Sequence, residues 1–389
     1  MVVQEVFEVL YSPVKAFKKI IEKPDFKGVL LILVLVMFSM AVAQYVNASK
    51  IFLRTEAPDD DDWTESIAFW ASNGVRSNDT DRVVGNYCVK SYVSNGTSIW
   101  MKIVNIGSFD CSEDRGYKEL FFWIKWIHQN GTFPSSQATL RLFSDSENKY
   151  FELDLTAFIS SSSDEWSNST VNNATLKIGP ENKDWDQINS PEWKSVTGLE
   201  FRLAWPASAN LTMKIDDLHF RKYVPLSEKG AFGVLMTSTL VYAAIDFSMN
   251  WILWAGILLL ILRAFREKGG PWTTFFIIIG HVFSVIMVYM LASAALLSTL
   301  PALNLPLKAW PPATEGEADA VSALIEKRWH PHWAYQLSFL YLPFVGEIWT
   351  MALCAISIHL LCKISWKKAA GISLIAFVTR FALRFFLGF

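Results

Sequence analysis

Cysteine is scarce in this sequence, and the spacings in which cysteine usually binds zinc are absent. The four cysteines stand at positions 88, 111, 354 and 362, with no C-x-x-C pair and no mixed Cys/His spacing. Cys88 and Cys111 fall in a segment that we expect to lie outside the cytoplasm, where an oxidising environment permits a Cys88–Cys111 disulfide. Cys354 and Cys362 lie in an apolar run and are expected to be small packing residues.

The common catalytic motifs are also missing. The sequence has no Gly-x-Ser-x-Gly, no His-Glu-x-x-His and no glycine loop of the phosphate-binding kind. An Asp-x-Asp within Asp59 to Asp62 is by itself poor support for a glycosyltransferase. The net charge of −2 says nothing about partners. We therefore expect no catalytic residues, no enzyme activity and no nucleic-acid partner.

Long apolar runs are what the sequence does have. Each of five runs exceeds the roughly 18 residues that cross a bilayer as a helix. The first could instead be a signal peptide, with Ala41 to Gln44 resembling a cleavage site. However, 27 residues precede it, more than a signal peptide's short basic region, so a retained anchor is favoured. The predicted spans are residues 28–48, 231–262, 272–300, 335–361 and 366–388.

Basic residues next to the spans predict an orientation, because Lys and Arg accumulate on the cytoplasmic side. The N-terminal segment 1–27, the turn after the second span and the turn after the fourth are basic and are predicted to be cytoplasmic. Segment 49–228, loop 301–334 and the C-terminus then lie outside, at the cell surface or in a lumen. The basic residues are Lys15, Lys18, Lys19, Lys23, Lys27, Arg263, Arg266, Lys268, Lys363, Lys367 and Lys368.

Seven acceptor sequons for N-linked glycans support the same orientation. All lie at or beyond the end of the first span and before the second, and the rest of the chain has none. We therefore expect N-linked glycans in the outside segment. The asparagines are Asn47, Asn78, Asn95, Asn130, Asn168, Asn173 and Asn210.

Segment 49–228 changes from a helical period to a period of two, which predicts half-buried β-strands. Tyr150 to Phe158 and Leu199 to Trp205 alternate apolar and polar residues, and Ser, Asn, Gly and Asp clusters separate such runs. Many short strands at this spacing predict an all-β sandwich. The fold class is thus a five-helix α-helical membrane bundle, including residues 229–389, with an extracytoplasmic β-sandwich inserted between helices 1 and 2.

The last strand pattern, Leu211 to Phe220, changes phase at two aspartates, Asp216 and Asp217. A carboxylate that enters a core needs a partner. One solution is calcium, bound by Asp216 or Asp217 together with the acidic run Asp59, Asp60, Asp61 and Asp62. The alternative is a β-bulge that turns the aspartates into solvent.

Nine tryptophans lie in this segment, and aromatic rings can stack on sugar rings. Most are expected in the core, with Trp126 and Trp205 at inward positions. Trp166 and Trp185 stand in polar, loop-like contexts and are predicted to form an exposed glycan platform.

The β segment resembles a carbohydrate-binding-module-like, or galactose-binding-like, jelly roll. The resemblance rests on the acidic-Trp opening Asp59 to Trp63, the strand Gly85 to Lys90, the segment Ser190 to Phe201 and the closing Lys214 to Phe220. It implies a sandwich that binds glycans or surface glycoproteins.

The remaining segments resemble the Yip family of five-span membrane proteins. The matching residues are Tyr11 to Asp25, Gly269 to Phe275 and Ile364 to Ala369. The resemblance implies membrane organisation or trafficking, with a cytoplasmic N-terminus and an outside C-terminus. Members of the family associate with Rab-type GTPases, but the short N-terminus here offers little cytoplasmic surface. The large outside domain departs from the family pattern.

The N-terminal segment is amphipathic. A helix starting at Pro13 would place Val14, Phe17 and Ile20 on one face and lysines on the other. Such a helix lies on the inner leaflet or packs beneath the bundle.

Ionisable residues within the spans have two interpretations. They form ion pairs that hold the helices together, or they line a polar cavity for an ion, a solute or a lipid headgroup. The residues are Asp246, Asn250, Glu347, Arg380 and Arg384.

The expected function is that of a non-catalytic, multi-pass membrane protein that presents a carbohydrate-binding-like sandwich. Its role is surface recognition, membrane organisation or that of an accessory subunit, with the bilayer, glycans and other membrane proteins as partners. The alternative is a transporter or lipid-handling protein that uses the charged residues of the spans.

Overall fold

The computed structural model describes residues 2–113, 115–134, 137–171, 174–267 and 271–387. The predictions for Asn173, Lys268 and Gly388 therefore lie outside the described residues, as does the side chain of Arg384. The chain forms two compact units. The helical unit comprises Met1–Phe52 and Pro225–Phe389, and the β unit comprises Leu53–Val224.

The helices span most of the helical unit. They are α1 (Val2–Tyr11), α2 (Pro13–Glu22), α3 (Phe26–Lys50), α5 (Ala231–Ala264), α6 (Trp272–Val282), α7 (Ser284–Leu297), α8 (Glu315–Arg328), α9 (Trp333–Gln336), α10 (Leu342–Cys362) and α11 (Trp366–Leu387), while α4 (Asp62–Glu65) belongs to the β unit. A 3₁₀ turn, Leu226–Glu228, precedes α5, and a π-helical turn, Leu337–Tyr341, precedes α10.

Four helical segments are long and apolar enough to span a membrane. They are Phe26–Lys50, Ala231–Ala264, Trp272–Leu297 and Trp333–Cys362. Their positions match four of the five predicted spans. The fifth, α11, is helical as expected, but its described part does not meet the same criteria, so its membrane crossing stays a prediction.

The amphipathic N-terminal segment packs beneath the helices of its own unit. Ala16, Phe17 and Ile20 of α2 are buried in the apolar core of the helical unit. Lys19 Nζ lies 2.6 Å from Glu8 Oε2 and ties α2 to α1. Of the two interpretations of this helix, the structure favours packing within the unit.

The strands of the β unit follow one another closely along the chain. They are β1 (Ile51–Ala57), β2 (Trp70–Ser72), β3 (Val75–Asp79), β4 (Cys88–Phe109), β5 (Glu119–His128), β6 (Gln137–Ser144), β7 (Ser146–Asp154), β8 (Trp166–Asn168), β9 (Thr170–Val171), β10 (Ala174–Lys177), β11 (Asp186–Ile188) and β12 (Val196–Pro225).

Two long strands, β4 and β12, each take part in both layers of an antiparallel β-sandwich. Residues 196–204 of β12 pair with β6 and with the second half of β4, and β7, β11 and β2 extend this layer, called sheet I. Residues 211–221 of β12 pair with β5 and with the first half of β4, and β3, β8 and β10 extend this layer, called sheet II. The register of β12 shifts between Ala204 and Ala209, where the strand passes from one sheet to the other.

The inward faces of the two sheets meet in one apolar core. Phe201 of sheet I and Phe122 of sheet II pack edge to face, with ring centroids 4.8 Å apart. The alternating runs predicted as strands supply these side chains, including Phe151, Leu199 and Leu203, all fully buried. The predicted β-sandwich is confirmed.

The predicted disulfide is wrong. Cys88 and Cys111 are free, buried thiols. The Cys88 thiol donates to the Asp81 carbonyl oxygen at 3.1 Å, whereas Cys111 Sγ lies 3.8 Å from the carbonyl oxygen of Phe109. Burial raises the pKa of Cys88 to about 12, so this thiol is protonated and unreactive.

Candidate functional site

The outward face of sheet I carries a row of charged side chains. Cross-strand pairing aligns Lys102, Glu200, Arg141, Glu152 and Asp186 on five neighbouring strands. Each of these residues is the direct chain neighbour of a core residue, so the alternation of a strand places it on the outward face. The charged row defines the candidate site.

Arg141 is the centre of this row. Its Nε donates to Glu152 Oε2 at 2.5 Å, and its Nη1 lies 3.7 Å from Glu200 Oε1. Burial raises the pKa of Glu200, and Arg202, Arg141 and Lys102 oppose that shift. The row is therefore a partly desolvated charge network, in which electrostatic interactions are stronger than on an open surface.

A groove of about 270 Å³ lies at one end of the charged row. This volume is just below the range of about 300–1,000 Å³ typical of small-molecule sites, which suits a ligand of one or two rings. No aromatic ring occurs in its lining where the structure describes it. The polar lining residues of this sheet I groove are Gln137, Thr139, Glu152, Asp154, Thr156 and Asp186.

Thr139 is the unusual member of the lining. Thr139 is only 9% exposed, and its Oγ1 is buried without a hydrogen-bond partner among the described atoms. Its strand partner across the groove is Asp154, which accepts hydrogen bonds from the amide and the hydroxyl of Thr156. A buried hydroxyl without a partner costs about 1–3 kcal/mol, a cost that a hydroxylated ligand would offset.

Two half-buried aromatic rings lie on the same face outside the groove. Cross-strand pairing aligns Trp100 with Arg202, Thr139 and Asp154 on four neighbouring strands. Trp100 therefore lies roughly 14 Å from Asp154, at about 4.8 Å per strand. Arg141 lies 4.6 Å from the Tyr150 ring centroid. The face thus combines hydrogen-bonding groups with rings, as sugar-binding surfaces do.

The broken strand pattern at Leu211 to Phe220 is a β-bulge. Asp216 pairs with Trp123 and His219 with Phe121, so β12 holds one extra residue there. Asp217 has a φ of +49°, a left-handed conformation that aspartate tolerates. The bulge explains the change of phase, since Ile215 before it and Leu218 after it both enter the core.

The bulge does not turn Asp216 into solvent, contrary to the expectation for a bulge. Asp216 is fully buried, and its Oδ2 accepts the backbone N–H groups of Val83 and Val84 at 2.5 and 3.0 Å. Its Oδ1 accepts the N–H of Asp217 at 3.0 Å. Asp216 is a latch that holds loop 80–87 against sheet II.

The six aspartates proposed as calcium ligands do not come together. Asp59, Asp60 and Asp62 are exposed, whereas Asp61, Asp216 and Asp217 meet around the Thr64 hydroxyl. Burial first, and then repulsion from Asp216 and Asp217, raises the pKa of Asp61 to about 7. Its Oδ2 is buried without a hydrogen-bond partner in the described structure, but Asp216 already accepts N–H donors with both oxygens. No described group of three or more His, Cys, Asp or Glu is arranged to hold a metal ion, and calcium stays a prediction.

Two buried lysines of sheet II hold the same loop at Asp81. Lys214 and Lys125 both donate to Asp81 Oδ2, at 2.7 and 2.9 Å. These contacts, with that of Lys214 first, hold the pKa of Asp81 well below its usual range. Burial alone would raise the pKa of Asp79, but hydrogen bonds from the Asp81 amide, Lys90 and Lys214 bring it down to about 2.

The predicted tryptophan platform is wrong. Trp185 is in the core at 5% exposure, packed edge to face on Trp193, and its Nε1 donates to the Lys177 carbonyl oxygen. Trp166 is half-buried on sheet II, where Lys125 lies 6.0 Å from its ring centroid. The two rings do not form one surface.

The sequons differ in accessibility. Asn78, Asn95, Asn130 and Asn210 are exposed and Asn168 is half-buried. Asn47 lies in the last turn of α3 with its Oδ1 buried, so this sequon is part of a helix, and its glycosylation stays a prediction.

The charged residues of the apolar helices form one network. Arg380 of α11 donates to both Glu347 oxygens, at 2.8 and 2.6 Å, and to Asn250 Oδ1 at 2.9 Å. Asn250 Nδ2 donates to Asp246 Oδ1 at 2.8 Å. The cavity beside them measures about 40 Å³, little more than the 30 Å³ or so of one water molecule.

Sequence reasoning missed the sheet I groove, although the signal was present. The alternation in Tyr150 to Phe158 predicts a strand through its inward residues, while Glu152, Asp154 and Thr156 are the outward set of that run. Their convergence with Thr139 and Asp186 depends on the pairing of β6, β7 and β11, which no local pattern specifies.

No protein-family model matches this chain, and no curated protein matches its sequence. Among solved structures it is similar to the family 11 carbohydrate-binding module of the cellulosomal cellulase Lic26A-Cel5E of Clostridium thermocellum, at 10% identity over 41% of this chain and 91% of that chain, with a TM-score of 0.28. It is also similar to the family 11 carbohydrate-binding module from Clostridium thermocellum in complex with a β-1,3-1,4-mixed-linked tetrasaccharide, at 11% identity over 44% of this chain and 95% of that chain, with a TM-score of 0.27. The likeness covers part of the chain and concerns the fold alone.

Proposed function

We propose that this chain is a non-catalytic membrane protein whose β-sandwich binds carbohydrate through the outward face of sheet I. The observation that carries the proposal is the buried, unpartnered Thr139 hydroxyl in a groove lined by carboxylate, amide and hydroxyl groups. Such groups accept and donate hydrogen bonds to sugar hydroxyls. Trp100 and Tyr150 on the same face are available to stack on further rings.

The membrane part of the proposal follows from the four apolar helices and from the basic residues that flank them. The proposal also includes α11 as a fifth span and a Yip-like topology that places the sandwich outside. It further includes glycans on the exposed sequons. Calcium bound near Asp61 is an additional element, tested by thermal melts with calcium and with chelator. The role is surface recognition, membrane organisation or that of an accessory subunit, with other membrane proteins as partners.

The second candidate function, transport or lipid handling, depends on the network of Asp246, Asn250, Glu347 and Arg380. The cavity of about 40 Å³ beside it has room for water but not for a lipid headgroup. The bidentate Arg380–Glu347 pair supports a structural role for the network. Glycan binding is therefore the function that we favour.

The test is binding of the full-length chain, in lipid nanodiscs, to an oligosaccharide array. We expect Thr139→Val to weaken any binding by about 3- to 10-fold, the value of one hydrogen bond. Thr212→Val is the matched control, because Thr212 is equally buried but lies on sheet II. Equal loss for both variants, or no binding by folded protein, would contradict the proposal.

A further inference from the structure

Three carboxylates converge on the sheet I groove. Glu152 and Asp186 are direct cross-strand partners on β7 and β11, and Asp154 follows Glu152 two residues along the same face. Like charges directly opposite on a sheet are destabilising. This placement is therefore costly in the free protein.

The cations nearby neutralise only part of this charge. Arg141 pairs with Glu152 at 2.5 Å and faces Glu200 on its other side. Arg202, the strand neighbour of Thr139 on β12, lies 3.5 Å from Glu200. Neither Asp154 nor Asp186 has a cationic partner in the part of the chain that the structure describes. The groove therefore attracts positive charge.

A single metal ion does not fit this arrangement, because the described carboxylates form no group of three that could share one ion. The groove is also larger than an ion needs, at about 270 Å³. Thr139, about nine-tenths buried, lies in the same lining, and its Oγ1 has no hydrogen-bond partner among the described atoms and fits a ligand hydroxyl. The complementary ligand is a ring that carries both hydroxyl groups and a positive charge.

We propose that the sheet I groove selects sugars with a free, protonated amine over neutral or acidic sugars. This inference rests on the proposed glycan-binding function of the same groove. The ammonium group interacts with Asp186 and Asp154, and a ring hydroxyl pairs with Thr139. Because a charge-assisted hydrogen bond is about twice as strong as a neutral one, the amine should confer a preference of about tenfold.

The experiment compares two ligands that share one sugar backbone, one with free amines and the other with neutral acetamides at the same positions. Full-length protein in nanodiscs of zwitterionic lipid is titrated with a β-1,4-linked glucosamine oligomer and with its fully N-acetylated counterpart of the same length. We expect the free amine to bind about tenfold more tightly, with a preference that falls at high salt. Equal affinities would overturn the charge inference while leaving glycan binding intact, and binding of neither would remove both.

Variants locate the effect. Asp186→Asn should remove most of the preference for the amine, whereas Asp184→Asn, exposed two residues away and outside the described lining, should preserve it. Asp186 is exposed and directly opposite Glu152, so its substitution by the neutral asparagine should not lower the melting temperature. Competition by spermidine as effective as that by the glucosamine oligomer would show recognition of charge without sugar and would overturn the proposal. A preference unaffected by Asp186→Asn would also overturn it.

Discussion

The Asp216 latch makes the sharpest prediction, because a neighbouring aspartate provides a matched control. We expect Asp216→Asn to destabilise the β unit and to release loop 80–87, and Asp217→Asn to destabilise it much less and to leave the loop in place. Asparagine keeps the shape of aspartate and tolerates the left-handed conformation of position 217, so the two variants differ mainly in the contacts they change.

The magnitude follows from the donors around Asp216. Its Oδ2 accepts two backbone N–H groups and its Oδ1 accepts a third, so either orientation of an asparagine amide sets an NH₂ group against at least one N–H. Leaving one or two of these N–H groups, and the NH₂ group that meets them at the fully buried position 216, without an acceptor costs about 2–4 kcal/mol. For a unit of this size that corresponds to a melting temperature lower by about 5–15 °C. Asp217 makes one side-chain contact, with His219 at 2.8 Å, and should cost about 1 kcal/mol.

Two assays on the full-length protein in nanodiscs check this prediction. Thermal melts measure the stability, and hydrogen exchange with mass spectrometry follows the amides of Val83 and Val84. Trypsin cleavage after the exposed Arg82 provides a second local measurement. If the two variants had equal melting temperatures and equal exchange in the loop, the latch would be refuted.

Three further predictions concern other parts of the molecule. Glu347→Gln should destabilise the helical unit by about 3 kcal/mol, because it leaves Arg380 buried with a broken ion pair. Thermal melts should show no comparable loss for the control Lys367→Gln. Equal losses for the two variants would contradict a structural role for the pair. Since the folded-state pKa of Asp61 is raised to about 7, above an unfolded value of about 3.9, the folded state retains a proton that the unfolded state loses, and stability falls as pH rises from about 4 to 7. After discounting for solvent screening, the loss of unfolding free energy between pH 5 and 7.5 should be about 1 kcal/mol smaller for Asp61→Asn than for the unchanged protein, as measured by thermal melts in chelator. An equal pH dependence for the two proteins would argue against this assignment. Because Cys88 and Cys111 are free, reductant should leave the melting temperature unchanged and denatured protein should alkylate at both positions, whereas an intact disulfide in mass spectrometry would contradict the structure.

The local patterns of the sequence were sufficient for the architecture. Apolar runs of helical length identified four helices that are long and apolar enough to span a membrane, and alternation such as that in Leu199 to Trp205 identified the strands, because side-chain burial has a fixed period in each element. The phase change at Asp216 also located the bulge. What failed were statements about which residues meet: Trp185 stands in a polar stretch of sequence yet enters the core, and Cys88 and Cys111 lie in the same β unit without pairing.

The sheet I groove could not be predicted for the same reason. Thr139, Glu152 and Asp186 come from three strands whose order in the sheet, β11–β7–β6–β12, is not the order along the chain. Each residue is an ordinary outward-facing polar residue of its own strand. Only the register brings three carboxylates and a buried hydroxyl to one place.

The position of β12 in the sandwich has a consequence for the order of events during synthesis. This strand is the last of the β unit, yet it is central in both sheets, between β6 and β4 in one and between β5 and β4 in the other. Until residues 196–221 have left the ribosome, the earlier strands have apolar faces and open edges with no neighbour to cover them. Such long-range pairing is slow and leaves the nascent chain prone to aggregation. Chaperones that cover apolar surfaces would therefore matter most for this unit before its final strand arrives.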